Sequence, residues 1–216
     1  MIIVAILLFL LSYWYGCFST ARVLAKSFRS LNIYKVGTGF ADTENIYYHV
    51  SKPLGIMTGA LDIVKSYAWL FFLKQFLILM DQMSVPPDMS MLYSCDLMML
   101  YGVGMLIGHC LPLTQHLRGG RGILTYLGIM LFLVFYPALI TGVLALVMVI
   151  AFRQVRFAQY TIVLLPVILT MVFSALPGLN MLNPMHTGSL FTVKLLGIAV
   201  LTGILNFIVS KKLGEF

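Results

Sequence analysis

The chain has 216 residues, 61% of them drawn from AVILMFWYC and only 10% charged, with Lys+Arg 14 against Asp+Glu 7 and a formal net charge of +7. A soluble domain is about half apolar and a quarter charged, so this composition cannot clothe a water-facing surface and describes an integral membrane protein. A bilayer crossing takes about 20 mostly apolar residues, so six or seven crossings use up the length and exclude a separate soluble catalytic domain.

In chain order, the first apolar run predicts a helix over about Ile2 to Leu24. It lacks the basic start and the small-residue cleavage site of a signal peptide, and is expected to be retained. A second span is predicted over Leu54 to Met80 and a third over Leu92 to Leu113. The run Ile123 to Phe152 is too long for one upright crossing, and Tyr136-Pro137 near its middle predicts a tight reversal between two short helices. Spans over Phe157 to Leu176 and Leu190 to Val209 complete an all-α polytopic bundle of about seven transmembrane helices, expected to form one domain over residues 1–216. Neither a repeat nor a low-complexity segment interrupts it.

The charge surplus, which in a soluble protein would suggest nucleic acid, is here read against the membrane plane, and no nucleic-acid partner is expected. With residues from Lys26 to Lys52 on the inner side, alternation gathers there Arg22, Lys26, Arg29, Lys35, Lys52, Arg118, Arg121, Arg153, Arg156, Lys211 and Lys212, which is 11 of the 14 cations. The opposite loops, Asp81 to Asp96 and Pro177 to Ser189, contain no Lys or Arg. This asymmetry predicts the N-terminus outside and the C-terminus on the inner, cytoplasmic side.

Three segments carry groups that a plain span does not need. The first is Gly37-Thr38-Gly39-Phe40-Ala41-Asp42-Thr43-Glu44-Asn45. Its two glycines around a hydroxyl suit either an inter-helix turn or a close backbone approach to an anion. The second is Asp62 with Lys65, three residues apart inside an apolar run. That spacing puts both on one helical face, as a structural ion pair or a functional site facing the bundle interior, although Lys65 is long enough to snorkel instead. The third runs from Gly108 and His109 to Arg118-Gly119-Gly120-Arg121-Gly122, just before a predicted helix. It reads as a phosphate cradle of guanidinium forks, N–H groups and a helix N-terminus, or as a basic loop with flexible glycines. Cys17, Cys95 and Cys110 are odd in number and lack metal-like spacing, so neither a disulfide framework, a metal nor a cofactor is expected. HExxH, GxSxG and Walker patterns do not occur, which argues against zinc, triad and nucleotide chemistry.

Together these segments resemble the PlsY family of membrane acyl-phosphate:glycerol-3-phosphate acyltransferases. The first is similar to the family's GSGNxGATN, and Asp62 with Lys65-Ser66 to its aspartate before Lys-Gly. Gly108, His109, Pro112, Arg118, Gly119, Gly120, Arg121, Gly122 and Thr125 are similar to its GHxxPxFxxFKGGKGxxT. The resemblance implies a seven-helix domain that moves a fatty acyl group from acyl phosphate to glycerol 3-phosphate, forming lysophosphatidic acid for phospholipid synthesis. It also implies roles: Thr38, Asn45 and His109 at the reacting centre; Gly37, Gly39, Arg118, Gly119, Gly120, Arg121 and Gly122 on phosphate; Asp62 and Lys65 in support. The chain departs from the pattern at Phe40, Asp42, Glu44 and Tyr48, and an acidic group beside a phosphate repels it unless neutralised or turned away. The other reading of these departures is a catalytically inactive descendant that binds an anionic lipid or a partner.

Overall fold

A computed structural model describes residues 1–83, 89–176 and 189–212, and every regular element among them is helical. The helices are α1 (Ile2–Gly16), α2 (Thr20–Arg29), α3 (Thr43–His49), α4 (Lys52–Gln82), α5 (Cys95–Cys110), α6 (Ile123–Leu133), α7 (Phe135–Phe152), α8 (Val155–Ala175) and α9 (Ser189–Lys212). Six stretches among the described residues are long and apolar enough to cross a membrane: Ile2–Arg29, Lys52–Gln82, Cys95–Gln115, Phe135–Phe152, Val155–Ala175 and Leu190–Lys212. The seventh apolar helix, α6, has 11 residues. That is about 16 Å of rise against a hydrocarbon core of about 30 Å. It is apolar around most of its circumference because other helices enclose it: Ile123, Leu127, Ile129, Met130, Phe132 and Leu133 are all buried.

The predicted reversal is present and falls at Val134, which ends α6 and starts α7 with φ −139° and ψ 73°. A Cβ placed on Gly142 would sit 3.5 Å from Leu127 Cδ2. A straight helix would separate those residues by about 22 Å, so the chain doubles back. The first span differs from its prediction. It breaks at Cys17–Ser19, and the Ser19 hydroxyl accepts the Arg22 N–H (3.2 Å) to start a separate helix, α2. Helix α2 buries Thr20, Ala21, Leu24 and Ala25, and leaves Arg22, Lys26 and Arg29 exposed.

Close approaches set the helix directions. Cβ atoms on Gly16, Gly104 and Gly108 would come within 2.2 Å of the Met105 carbonyl, 2.9 Å of the Phe9 carbonyl and 2.0 Å of the Tyr13 carbonyl. Thus α1 and α5 run parallel with their backbones in contact, the small-residue packing used where lipid removes the hydrophobic drive. On the other flank Gly128 would meet the Ile63 carbonyl at 2.3 Å and Gly59 would meet Leu124 at 2.8 Å, so α4 and α6 also run parallel. Lys194 on α9 pairs with Asp96 on α5 (2.6 Å), while Lys212 reaches the Leu117 carbonyl (3.4 Å) at the other end. The ends of α1, α5 and α9 and the starts of α4 and α6 therefore lie at one end of the bundle, together with the glycine-bearing segments. Hydroxyls within the spans close on their own helix, as Thr58, Thr141, Thr170 and Thr202 do on carbonyls four residues earlier (2.7–2.8 Å). The hydrogens of these four hydroxyls are thereby kept from lipid. The predicted outer loop Pro177 to Ser189 lies largely outside the described residues.

Candidate functional site

Asn45 organises the first segment. Its side-chain amide donates to the carbonyls of Val36 (3.0 Å) and Phe40 (2.8 Å), and its Oδ1 accepts the Thr38 N–H (3.1 Å). Three anchors from one buried residue fold Val36–Phe40 back over α3. The turn needs left-handed backbone at Gly37 (φ +55°) and Gly39 (φ +74°), and a Cβ on Gly37 would collide with Asn45 Oδ1 at 2.2 Å. The glycines thus serve the turn, and Asn45 is a positioning group whose amide is already occupied. Thr38 is exposed at the turn's tip, with its hydroxyl accepting the Phe40 N–H at 3.4 Å. Phe40 itself is buried in the main apolar core, so this departure from the family pattern is a packing choice, and Tyr48 faces outward.

Beneath the third segment lies a buried polar knot. The Thr20 hydroxyl donates to Asp62 Oδ1 (2.7 Å), Lys65 Nζ lies 3.6 Å from the same oxygen and donates to the Phe18 carbonyl (2.9 Å), and His109 Nδ1 stands 3.9 Å away. The break between α1 and α2 frees the Phe18 carbonyl, and the Lys65 ammonium satisfies it. Lys65 is 8% exposed, which rules out snorkelling. Inside a span, such charges persist only when paired and hydrogen-bonded in this way.

His109 connects the knot to the glycine loop. Its carbonyl accepts the Gly120 N–H (3.1 Å), and a Cβ on Gly120 would lie 2.5 Å from its Nε2. A Cβ on Gly119 would lie 2.1 Å from the His109 carbonyl, and one on Gly122 (φ +79°) 2.4 Å from Cys110 Sγ. The glycine run is therefore needed for the loop to lie flat on the end of α5. The turn just before it holds His116 (φ +51°) and Leu117 (φ +60°) in left-handed conformation, an unfavourable one for a leucine. Arg118 follows, exposed and without an ion pair among the described residues.

Arg121 is differently placed. Its Nη2 is 3.1 Å from Glu44 Oε2 and its Nε is 3.8 Å from Asp42 Oδ2, with its side chain only 11% exposed. Asp42 also starts α3 by accepting the Asn45 N–H (2.6 Å). The two carboxylates that depart from the family pattern are thus neutralised by the very arginine expected to hold phosphate. Of the two loop arginines, Arg118 is exposed and Arg121 is the one paired with carboxylates.

These elements converge. Gly16, Cys17 and Ser19 at the helix break, Tyr34 from the short turn before the first segment, Ala41 from that segment, and His109, Pro112, Arg118, Gly119 and Gly120 line one narrow cleft. Among the described residues the Gly119 N–H has no hydrogen-bond acceptor. Thr38, Gly37, Gly39 and Asn45 do not line the cleft; Arg121 and Gly122 flank its glycine wall, and Asp62 and Lys65 lie behind His109. Ser19 and Tyr34 were missed from the sequence, since a lone serine and a lone tyrosine outside the glycine segments have no spacing to mark them. No group of three or more metal-ligating side chains occurs among the described residues.

A membrane bundle with a glycine-walled cleft bearing an arginine at one end defines the class: an integral membrane protein. Comparison with known proteins sharpens this: the family model described as Glycerol-3-phosphate acyltransferase matches residues 6–210. The chain belongs to that family. Among its relatives, the glycerol-3-phosphate acyltransferase of Prochlorococcus marinus (strain NATL1A) is 27% identical over 88% of this chain and 87% of its own length. Glycerol-3-phosphate acyltransferase 1 of Lactobacillus acidophilus is 27% identical over 64% of this chain, which spans 60% of that relative. The crystal structure of PlsY, an integral membrane glycerol 3-phosphate acyltransferase, in its glycerol 3-phosphate form superposes with a TM-score of 0.67 at 21% identity, covering 96% of this chain and 88% of that one. Its lysophosphatidic acid form gives 0.65 at 20% identity. The fold is shared.

Proposed function

We propose that this protein transfers a fatty acyl group from an acyl phosphate to the 1-hydroxyl of glycerol 3-phosphate, releasing lysophosphatidic acid and inorganic phosphate. The observation that carries the proposal is the meeting of the first and third segments at one cleft, in a chain whose family match runs almost end to end. The acceptor oxygen bonds to the acyl carbon, the bond from that carbon to the phosphate oxygen breaks, and the hydroxyl proton leaves with the phosphate. The donor is already activated, so the protein's task is to hold two anions close together and to stabilise the charge that gathers on the departing phosphate.

Arg118 and the Gly119 N–H are assigned to the donor phosphate, with Gly120 and Gly122 keeping the loop against α5. His109 steadies the loop from below, backed by Asp62 and Lys65. Thr38, presented by the turn that Asn45 pins, is assigned to the acceptor, and Arg121 exchanges Glu44 for a substrate phosphate when the site fills. The cleft is too narrow for a phosphate as it stands, so loading moves the turn that carries Arg118, where the left-handed His116 and Leu117 concentrate the strain. The end of the bundle bearing the site also bears most of the cations, so the site is assigned to the cytoplasmic face, with the N-terminus outside and the C-terminus inside.

Purified protein in lipid, supplied with acyl phosphate and glycerol 3-phosphate, is expected to form lysophosphatidic acid, and Arg118→Ala to form it at least tenfold more slowly. Product no higher than in protein-free lipid would refute the proposal and leave the inactive-descendant reading in its place.

A further inference from the structure

Tyr34 lies in a single helical turn, Ile33–Lys35, between α2 and the Asn45-pinned loop, and its N–H is held by Asn32 Oδ1 at 3.2 Å. It packs with Ala21, Ala25, Ile33, Ala41 and Ile46, a small apolar cluster beside the main core, and lines the same cleft as Arg118 and Gly119. Its hydroxyl oxygen is shielded from solvent and has no hydrogen-bond partner among the described residues. A phenol has a strong O–H donor, and burying one unpaired costs free energy that a phenylalanine in the same place would not. Two further donors in this wall, the Gly119 N–H and the Arg118 guanidinium, are likewise unengaged among the described residues. Three donors around one cleft, none of them engaged by an acceptor among the described residues, are matched by a ligand made of acceptors. Burial raises the Tyr34 pKa, partly offset by the Arg22 charge, so the phenol keeps its proton at neutral pH.

We propose that Tyr34 is a phosphoryl-binding residue, its hydroxyl donating to a non-bridging oxygen of the acyl phosphate and of the inorganic phosphate left after transfer. This rests on the reading of the cleft as the donor's phosphate seat. It adds a contact that none of the glycine segments contains, and it supplies a partner for a shielded hydroxyl that has none among the described residues.

The test is Tyr34→Phe, which removes one oxygen and keeps the ring. Three results are expected: the variant melts at or above the wild-type temperature without ligand; it needs about tenfold more inorganic phosphate for half-maximal thermal stabilisation; and its KM for acyl phosphate rises by a similar factor while that for glycerol 3-phosphate stays put. A phosphate titration coinciding with wild type would overturn the proposal, as would a lower melting temperature without ligand, because the hydroxyl would then be structural. The titration needs no turnover, so the two readings fail separately. Wild-type protein that binds phosphate through Tyr34 yet transfers nothing would sink the acyltransferase reading alone, and active wild type with an unaffected variant would sink only the role of Tyr34.

Discussion

Glu44→Gln isolates the electrostatic question at the site. The wild-type carboxylate sits 3.1 Å from Arg121 Nη2, and a phosphate that claims this arginine must first displace it. In a medium of effective dielectric near 20, two charges at that distance attract by about 5 kcal/mol before solvation is counted. The Glu44 side chain is 37% exposed, however, so most of this is returned when the freed carboxylate is hydrated, and pairs of such exposure are worth about 1 kcal/mol net. Exchange therefore costs an incoming phosphate about 1 kcal/mol, a factor of about five in affinity. The amide keeps the shape and drops the charge, while Asp42 stays at 3.8 Å to hold Arg121 in place. Initial rates of lysophosphatidic acid formation, measured against each substrate in turn, should show KM for one phosphate-bearing substrate falling about fivefold, with kcat within a factor of two of wild type. An unchanged or raised KM would refute the exchange argument, and a kcat loss beyond tenfold would make Glu44 part of the chemistry.

Asn45→Ala removes three side-chain hydrogen bonds and leaves buried backbone groups of the turn unpaired. A loss of about 3 kcal/mol in stability is expected by denaturant or thermal unfolding, with transfer activity falling alongside. Gly120→Ala would press a methyl group to 2.5 Å from the His109 ring, which the polar knot beneath prevents from yielding freely. At least a tenfold loss of transfer is expected for a small change in melting temperature, and full activity would show that the loop need not lie flat on α5.

Much of the fold was legible because hydropathy reports immersion in lipid, and the spans after the first fall close to their predicted bounds. The break at Cys17–Ser19 was not, since Lys65, far along the chain, satisfies the carbonyl it frees. The same limit governs the site. The glycine segments could be found from spacing, yet spacing does not say that their missing side chains face α5 and Asn45 rather than a ligand. Asp42 and Glu44 looked like charges set against a phosphate; only the fold shows Arg121 between them. Tyr34 became visible because its hydroxyl finds no hydrogen-bond partner among the described residues, which is a property of three dimensions alone.

One oxygen of Asp62 answers at once to a hydroxyl from α2, an ammonium from its own helix and an imidazole from α5. Losing any one of these leaves the others short of a partner in a medium that cannot rehydrate them, so substitutions at these positions are expected to be non-additive. Redesign of this end of the bundle would therefore treat Thr20, Asp62, Lys65 and His109 as one unit, whereas the lipid-facing residues could be exchanged one at a time.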